Sequence, residues 1–321
     1  MPHVKRSAAP WTVTDGRAGN VRQAVALAAA LGHGVHRPLT LRPRAPWRWA
    51  SPRLLPGAAI GHGEALRALL DAPPDVAVGC GRQAAAALRL LRGVGSRVVQ
   101  ILDPRMDPRH WDLVVVPEHD RLRGENVLTL LGSLNPVNDD WLAWGRAAFT
   151  AFGQLPGPRT ALLVGGPSDM ARWEPDAMLR VFDALAAQVR AEGGTLLATT
   201  SRRTPPGLAE ALRARFREMP HVIWGDGGDG VNPYAGLLGW AHRVVVSPDS
   251  VNLLSEAAAT RLPLCIALPE SARGRMQAFQ RALAERGRVQ AHWLDWSTSG
   301  ATTPLRETPR IAAEVRARLG V

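Results

Sequence analysis

Short apolar runs alternate with longer amphipathic segments along the whole chain. A run such as Val244–Val246 is β-branched without polar alternation, which predicts a strand covered on both faces. The longer segments have helical spacing and end at glycine or proline. This alternation predicts an α/β chain with parallel sheets. We predict strands over residues 11–14, 75–80, 97–102, 113–116 and 126–131, and again over 161–164, 195–200, 222–224, 244–246 and 264–268.

A segment rich in glycine and proline, residues 153–158, separates two such series. A length of 321 residues suits two domains. We therefore predict an amino-terminal Rossmann-like domain over residues 1–152 and a carboxy-terminal one over 153–303. The remaining residues, 304–321, are predicted to form a last helix that could cross back to the first domain.

Residues 36–56 break this regularity with five prolines. Trp47 and Trp49 are interleaved there with arginines, a combination that suits a membrane interface or an anionic lipid-linked substrate. The prolines exclude a regular amphipathic helix. The alternative is a long loop whose tryptophans pack on the domain.

The formal net charge of +11 comes almost entirely from arginine and favours anionic ligands. Because the arginines are scattered and aromatic residues are few, we expect no nucleic-acid partner. Cys80 and Cys265 lie in apolar runs, which predicts buried free thiols in a reducing compartment. No apolar segment follows Lys5 and Arg6, and no run is long enough to span a membrane. We expect a cytoplasmic protein, with peripheral contact at the inner face of the membrane left open.

Polar residues and glycine turns follow most of the predicted strands. Such turns, and the helix N-termini after them, present backbone N–H groups that favour phosphate. Because carboxyl ends of parallel strands share one edge, we expect a lined crevice there. The candidates are Gly16, Gly19, Asn20, Gln23, Arg82, Asp103, Arg105 and Glu118 in the first half, and Gly165, Gly166, Ser168, Ser201, Arg202, Arg203, Asn232, Asp249, Ser250, Ser255 and Glu256 in the second half.

Three of the charged residues suggest specific chemistry. Asp15 follows the first strand and could act as a general base, or it could simply bond its own turn. His119 is a second acid–base candidate, although adjacent residues 118–120 do not have the spacing of a metal site. Glu256 lies six residues after the predicted N-cap Ser250 and could accept hydrogen bonds from ribose hydroxyls. The alternative for Glu256 is an ordinary surface carboxylate.

Seven ordered motifs resemble one family, the mitochondrial-fission, elongated-mitochondria (ELM) family, whose bacterial members have been linked to glycosyl transfer. The resemblance extends from Trp11 to about Pro269. Two positions depart from it, because Arg261 stands where the family commonly has glycine and Pro248 where a small or polar residue is expected. The motifs are DGRAGNxxQ (15–23), VxQILDPR (98–105), DLVVVPEHD (112–120), GGPS (165–168), SRRTP (201–205), NPY (232–234) and DSVNLLSEAAAT (249–260).

The resemblance implies two Rossmann-like, doubly wound α/β domains facing a cleft, a GT-B-like fold. By analogy with the lipid-linked glucosaminyltransferase of peptidoglycan synthesis, the second domain would bind a nucleotide-diphosphate sugar and the first a cell-envelope glycan or lipid-linked acceptor. Glu256 would bind ribose, Ser250 the diphosphate, and Arg202 or Arg203 the leaving group, so that no metal or other cofactor is expected. Two alternatives remain: a non-catalytic scaffold or adaptor, and a sugar-nucleotide epimerase.

Overall fold

The computed structural model describes residues 9–290, 292–296 and 302–321. It divides into two compact units, one formed by the chain up to Pro136 together with Glu307–Val321, and the other by Val137–Arg306. Lys5 and Arg6, which the targeting expectation used, lie outside the described residues. No helix among the described residues combines the length and apolar character needed to cross a membrane.

The first unit is built on a six-stranded parallel sheet. Its strands are short and most of their residues are buried, most completely in the apolar runs 76–80 and 113–117. The spatial order is β2-β1-β3-β4-β5-β6. The strands are β1 (Trp11–Thr14), β2 (Arg37–Thr40), β3 (Val76–Cys80), β4 (Arg97–Ile101), β5 (Leu113–Pro117) and β6 (Val127–Leu130).

Six α-helices lie in the described part of this unit. The last one, α12, packs against α1, and its Ile311 and Val315 are fully buried in the core that also contains Leu27. A reciprocal pair of hydrogen bonds joins Thr308 and Asn135 at its start. The helices are α1 (Ala18–Leu31), α2 (Trp47–Ala50), α3 (Ala58–Gly61), α4 (Glu64–Asp71), α5 (Arg82–Gly93) and α12 (Glu307–Leu319).

The segment predicted as irregular, residues 36–56, contains the edge strand β2 and the short helix α2. Strand β2 escaped prediction because only Leu39 among its four residues is buried and Pro38 interrupts its pattern. Proline is tolerated here because β2 pairs on one side only. Trp47 packs on Gly61, and its indole N–H donates to the Pro56 carbonyl oxygen at 2.9 Å. Trp47 therefore packs on its own domain, as the alternative interpretation expected, but it begins the helix α2 and does not lie in a loop.

The second unit is built on a five-stranded parallel sheet in the order β11-β10-β7-β8-β9. Its strands are β7 (Arg159–Val164), β8 (Thr195–Thr200), β9 (His221–Trp224), β10 (Arg243–Val246) and β11 (Leu264–Ile266). Its helices are α6 (Asp139–Ala148), α7 (Pro175–Ala191), α8 (Leu208–Phe216), α9 (Tyr234–Trp240), α10 (Val251–Ala258) and α11 (Arg275–Glu285).

The division between the units differs from the predicted boundary at residue 152. Helix α6 belongs to the second unit because it packs closely on α9. A Cβ on Gly145 would lie 2.3 Å from the Ala235 carbonyl oxygen, so the two backbones are in contact there. The Gly/Pro-rich segment, residues 153–158, suggested a linker; its first two residues end a 3₁₀ turn, Thr150–Gln154, and its last residue immediately precedes β7.

Both sheets reverse their strand order once. In the first unit the reversal lies beside β1, between β1 and β3; in the second it lies beside β7, between β7 and β10. Crevices outside the carboxyl ends of strands at such reversals are the usual ligand sites of open parallel sheets. The candidate sites are therefore expected at these two crevices, one in each unit.

Candidate functional site

The glycine turn after β7 is tied to the turn after β10 by hydrogen bonds from backbone N–H groups to side-chain oxygens. Gly165 N–H donates to Ser247 Oγ at 2.7 Å, and Gly166 N–H donates to Asp249 Oδ2 at 2.8 Å. These residues follow two neighbouring strands at the reversal of the sheet. The structure thus brings three predicted donor-site residues, Gly165, Gly166 and Asp249, into one cluster, which we call the β7/β10 crevice.

Asp249 acts as an internal anion within this crevice. Its side chain is fully buried, and besides Gly166 it accepts hydrogen bonds from Trp173 Nε1 at 3.0 Å and Arg203 Nη2 at 3.3 Å. A Cβ on Gly165 would lie 2.1 Å from Asp249 Oδ2, and one on Gly166 would lie 1.9 Å from the Arg203 carbonyl oxygen. Both glycines are therefore required by packing within the protein. Asp249 holds the turns in place, and its oxygens are occupied by protein donors.

The loop after β8 supplies the cations of the crevice. Thr204 Oγ1 donates to the Gly165 carbonyl oxygen at 2.5 Å, and Arg203 N–H donates to Ser201 Oγ at 3.1 Å, so this loop is fixed against the glycine turn. The Arg203 side chain is 52% exposed although it pairs with Asp249. Arg202 is exposed and forms no ion pair within the part of the chain that the structure describes. An arginine pair beside buried Asp249 leaves positive charge at the surface of the crevice.

Helix α10 begins at the same edge. Ser250 is its N-cap, since its Oγ accepts a hydrogen bond from Leu253 N–H at 3.3 Å. Ser255 is buried, and its hydroxyl donates to the Val251 carbonyl oxygen at 2.6 Å, so it serves the helix. Ser168 Oγ is buried and has no hydrogen-bond partner among the described residues.

Glu256 lies about 9 Å further along α10, at 1.5 Å per residue from Ser250. It is 2% exposed, and its Oε2 accepts a hydrogen bond of 2.5 Å from the hydroxyl of Tyr234, which is also buried. The surface interpretation of Glu256 is therefore wrong. Asn232 Oδ1 accepts from Tyr234 N–H at 3.0 Å and so fixes the start of α9. The NPY motif thus places the tyrosine on Glu256, a contact that sequence analysis missed.

In the first unit, the β1 turn is organised by Asp15. Its Oδ1 accepts hydrogen bonds from Arg17 N–H at 3.1 Å and from Asn20 Nδ2 at 2.9 Å. Asn20 Oδ1 in turn accepts from Cys80 Sγ at 3.6 Å. Burial, with a smaller effect of the Asp15 charge, raises the pKa of Cys80, which keeps this thiol a donor. Asp15 therefore does bond its own turn, as the alternative stated, while its side chain stays partly exposed.

Gln23 and the glycines of this turn have roles in the local structure of the turn and the helix. Gln23 is 5% exposed, and its amide donates to the Gly19 carbonyl oxygen at 3.4 Å within α1. Gly16 adopts a φ of 78°, a left-handed conformation that suits glycine. A Cβ on Gly81, after β3, would lie 2.6 Å from Asn20 Nδ2, so the β1 and β3 turns are in contact.

A cleft of about 560 Å³ opens at these turns, and we call it the arginine cleft. It contains two predicted residues, Asp15 and Arg82. Most of the other lining residues follow the unpredicted strand β2 or lie in the segment predicted as irregular. Arg17 and Gln83 stand in predicted glycine turns but were not among the predicted site residues. The lining is Asp15, Arg17, Leu41, Arg42, Pro43, Arg48, Trp49, Arg82 and Gln83.

The remaining first-unit candidates do not line this cleft. Asp103 Oδ1 accepts from Arg105 N–H at 2.7 Å in the turn after β4. Glu118 and His119 follow β5, three strand positions from β1. At a strand spacing of about 4.8 Å, His119 and Asp15 follow strand ends about 14 Å apart. The two acid–base candidates are therefore not one catalytic pair.

A larger pocket of about 790 Å³ runs along the edge strand β11, between α7 and α11. Its lining contains Cys265 and Trp293 but none of the predicted site residues. Among the described residues, no group of three or more His, Cys, Asp or Glu side chains is arranged to hold a metal ion.

Known proteins resemble the chain in sequence. The sequence model of the family described as "Mitochondrial fission ELM1" matches residues 18–319. The mitochondrial fission protein ELM1 of Arabidopsis thaliana is 29% identical over 278 residues, which cover 77% of this chain and 64% of that protein. The chain therefore spans less than two thirds of that relative's length. The uncharacterized protein RP120 of Rickettsia prowazekii is 22% identical over 302 residues, covering 81% of this chain and 83% of that protein.

Solved structures match almost the whole chain. UDP-GlcNAc 2-epimerase from Neisseria meningitidis, bound to UDP-GlcNAc, has a TM-score of 0.54 at 11% identity and covers 96% of this chain and 99% of its own. S. aureus MnaA with UDP gives 0.53 at 12% identity and covers 97% of both chains. Acinetobacter baumannii MurG gives 0.50 at 16% identity and covers 97% of this chain and 92% of its own. At these identities the likeness establishes the fold, two Rossmann-like units of the GT-B type.

Proposed function

Because the chain belongs to the mitochondrial fission ELM1 family and has the GT-B-type fold, we propose that it transfers a sugar from a nucleotide-diphosphate sugar to an acceptor. The donor binds in the β7/β10 crevice of the second unit. The acceptor, a cell-envelope glycan or lipid-linked molecule, binds in the first unit. Two structural neighbours hold UDP or UDP-GlcNAc, which supports UDP-sugars as the first donors to test.

The observation that carries the proposal is the construction of the β7/β10 crevice. Buried Asp249, in the turn after β10, fixes the glycine turn after β7, and the loop after β8 presents Arg202 and Arg203 beside them. Ser250 caps the helix that begins at the same edge. Arginine pairs with phosphate through two parallel N–H bonds, and a helix N-terminus adds favourable dipoles. A diphosphate is the group that this combination suits best.

The chemistry requires one nucleophile, one base and one stabilised leaving group. An acceptor hydroxyl oxygen attacks the anomeric carbon, and its proton passes to the carboxylate of Asp15. The bond from the anomeric carbon to the diphosphate oxygen breaks, and the electron pair leaves with the nucleoside diphosphate. Arg202 and Arg203 offset the charge that develops there, so the proposal requires neither a metal ion nor a cofactor.

Glu256 remains our proposed ribose ligand. Its carboxylate has about four acceptor positions, and Tyr234 occupies one of them at 2.5 Å. Since both residues are buried, the ribose must reach Glu256 by a local movement of the Tyr234 ring. Tyr234 then orients the carboxylate before the donor arrives.

Isothermal titration calorimetry with UDP, UDP-GlcNAc and a GDP-sugar tests the donor site. We expect binding of at least one donor, weakened about tenfold or more by Arg202→Ala because a charge-assisted hydrogen bond is lost. Arg217→Ala removes an exposed arginine elsewhere in the second unit and should leave the affinity unchanged. Folded protein that binds none of these donors would contradict the proposal.

A non-catalytic scaffold is the second candidate, and the buried state of Glu256 favours it. A carboxylate sealed by Tyr234 needs no ligand to be stable. A protein partner whose binding survives Arg202→Ala, together with absence of donor binding, would identify the scaffold. Release of free UDP from UDP-GlcNAc without an acceptor would instead identify an epimerase.

Peripheral contact with the inner face of the membrane is also part of the proposal. Trp49 and Ile60 are 66% and 69% exposed in a segment that carries several exposed arginines. Tryptophan and arginine together suit the headgroup region of anionic bilayers. Flotation with vesicles containing phosphatidylglycerol tests this contact, and protein that stays at the bottom of the gradient would contradict it.

A further inference from the structure

The arginine cleft concentrates positive charge without a matching set of carboxylates. Four arginines line it, namely Arg17, Arg42, Arg48 and Arg82, whereas Asp15 is its one acidic lining residue. Asp15 lies 3.5 Å from Arg17 Nε, so that pair is partly neutralised. The other three arginines form no ion pair within the described part of the chain. Like charges gathered in one concave site repel one another and attract an anion.

A second feature of the cleft also favours an anion. Arg82 and Gln83 are the first residues of α5, a helix of 12 residues. The first N–H groups of a helix have no partner within it, and its dipole places partial positive charge at this end. Gly81, the N-cap, has no side chain that could bond these groups, and no side-chain cap bond is present.

The segment that carries Arg42, Arg48 and Trp49 is held in place. Arg89 on α5 donates to the Pro52 carbonyl oxygen at 3.0 Å, and Trp47 is anchored on Gly61 and Pro56. Trp49, in contrast, is 66% exposed and lines the cleft. The site therefore combines cations with one open aromatic surface on a fixed support.

We propose that the arginine cleft binds a phosphate or diphosphate ester and that Trp49 contacts an apolar part of the same molecule. Arg42, Arg48 and Arg82 bind the anionic group together with the N-terminus of α5. The assignment of this molecule as the acceptor rests on the proposed function; the anion site itself does not. Asp15 lies at the edge of the same cleft, where an acceptor hydroxyl would have to be placed.

Calorimetry at low ionic strength with two probes, inorganic pyrophosphate and farnesyl diphosphate, tests the inference on the full chain. We expect farnesyl diphosphate to bind more tightly than pyrophosphate. Arg42→Ala and Arg82→Ala should each lower the affinity for both probes about tenfold or more, as expected for loss of a charge-assisted hydrogen bond. Trp49→Ala should lower the affinity for farnesyl diphosphate and leave the affinity for pyrophosphate unchanged.

Two controls separate this site from others. Arg44→Ala removes an exposed arginine of the same loop that does not line the cleft, and it should change neither affinity. Arg203→Ala reports on the β7/β10 crevice. If pyrophosphate binding falls with Arg203→Ala and not with Arg42→Ala or Arg82→Ala, or if Arg44→Ala has the same effect as Arg42→Ala, the inference is wrong.

The remaining outcomes are equally decisive. Absence of binding by both probes would overturn the anion site, and equal affinity for both would overturn the apolar contact with Trp49. If the wild-type chain binds farnesyl diphosphate but does not bind UDP, the proposed function is rejected and this inference stands. All variants change exposed side chains, and circular dichroism confirms that each is folded.

Discussion

Replacing Asp249 by asparagine tests whether this residue is structural or contacts a ligand. The change keeps the size of the side chain and removes its charge. In the wild-type protein Oδ2 accepts from Gly166 and Arg203, and Oδ1 accepts from Trp173 Nε1. Asparagine presents one oxygen and one NH₂ group, so either the Gly166 or the Trp173 N–H must face another donor.

The expected cost follows from these contacts. A buried donor left without a partner costs about 1–3 kcal/mol, and loss of charge from the remaining bonds adds about 1 kcal/mol. The lost ion pair with Arg203 adds little to this cost, because the Arg203 side chain is half exposed and its charge is screened by water. A total of about 3 kcal/mol corresponds to a fall in Tm of about 6–12 °C for a unit of this size.

Differential scanning fluorimetry of the free protein, paired with UDP titration, is the assay. Asp169→Asn is the matched control, since that side chain is 96% exposed and, among the described residues, pairs only with Arg172 three positions on. We expect Asp249→Asn to lower Tm and Asp169→Asn to leave it unchanged. An unchanged Tm together with lost UDP binding would show that Asp249 contacts the ligand and would refute our reasoning.

Three further changes test other buried groups. Tyr234→Phe removes the hydroxyl that donates to Glu256, and we expect UDP affinity to fall several-fold; unchanged affinity in calorimetry would exclude an orienting role. Arg288→Ala removes a buried guanidinium that donates to the carbonyl oxygens of Ala258 and Thr260 at the C-terminal end of α10. Urea unfolding should show a loss of about 3 kcal/mol in the free energy of unfolding, whereas exposed Arg281→Ala should show none. Burial lowers the pKa of the His62 imidazole from its ordinary value of 6.5, so on acidification the unfolded chain is protonated at this residue before the folded chain, and stability falls as the pH drops below about 6.5. His62→Gln should therefore reduce the dependence of Tm on pH between pH 5 and 7. The same dependence in the variant and the wild-type protein would contradict this role of His62.

Much of the architecture could be predicted from local pattern. The uninterrupted apolar strands of both sheets are visible in sequence because each is buried on both faces, as β10 shows. Strand β2 could not be found, because at a sheet edge only Leu39 is buried. Helix α6 was assigned to the first domain because its attachment depends on close approach to α9, 90 residues away at Gly145 and Ala235.

The position of the candidate site could be predicted from the sequence, but most of the hydrogen bonds between its side chains could not. Glycine turns and the Ser250 cap follow from residue type, since few residues serve those roles. The bond from Tyr234 to Glu256 and the three donors to Asp249 join residues far apart in sequence. No periodicity encodes such pairs. The arginine cleft could not be predicted for a related reason, because Arg42 and Arg48 line it from the segment that follows the unpredicted strand β2.

The return of α12 to the first unit has a consequence for synthesis of the chain. Ile311 and Val315 are fully buried in a core whose buried members outside α12 all lie before Pro136. A ribosome therefore releases the entire second unit, a continuous stretch, before the first can close its core. We expect the half that is translated first to be the half that finishes folding last.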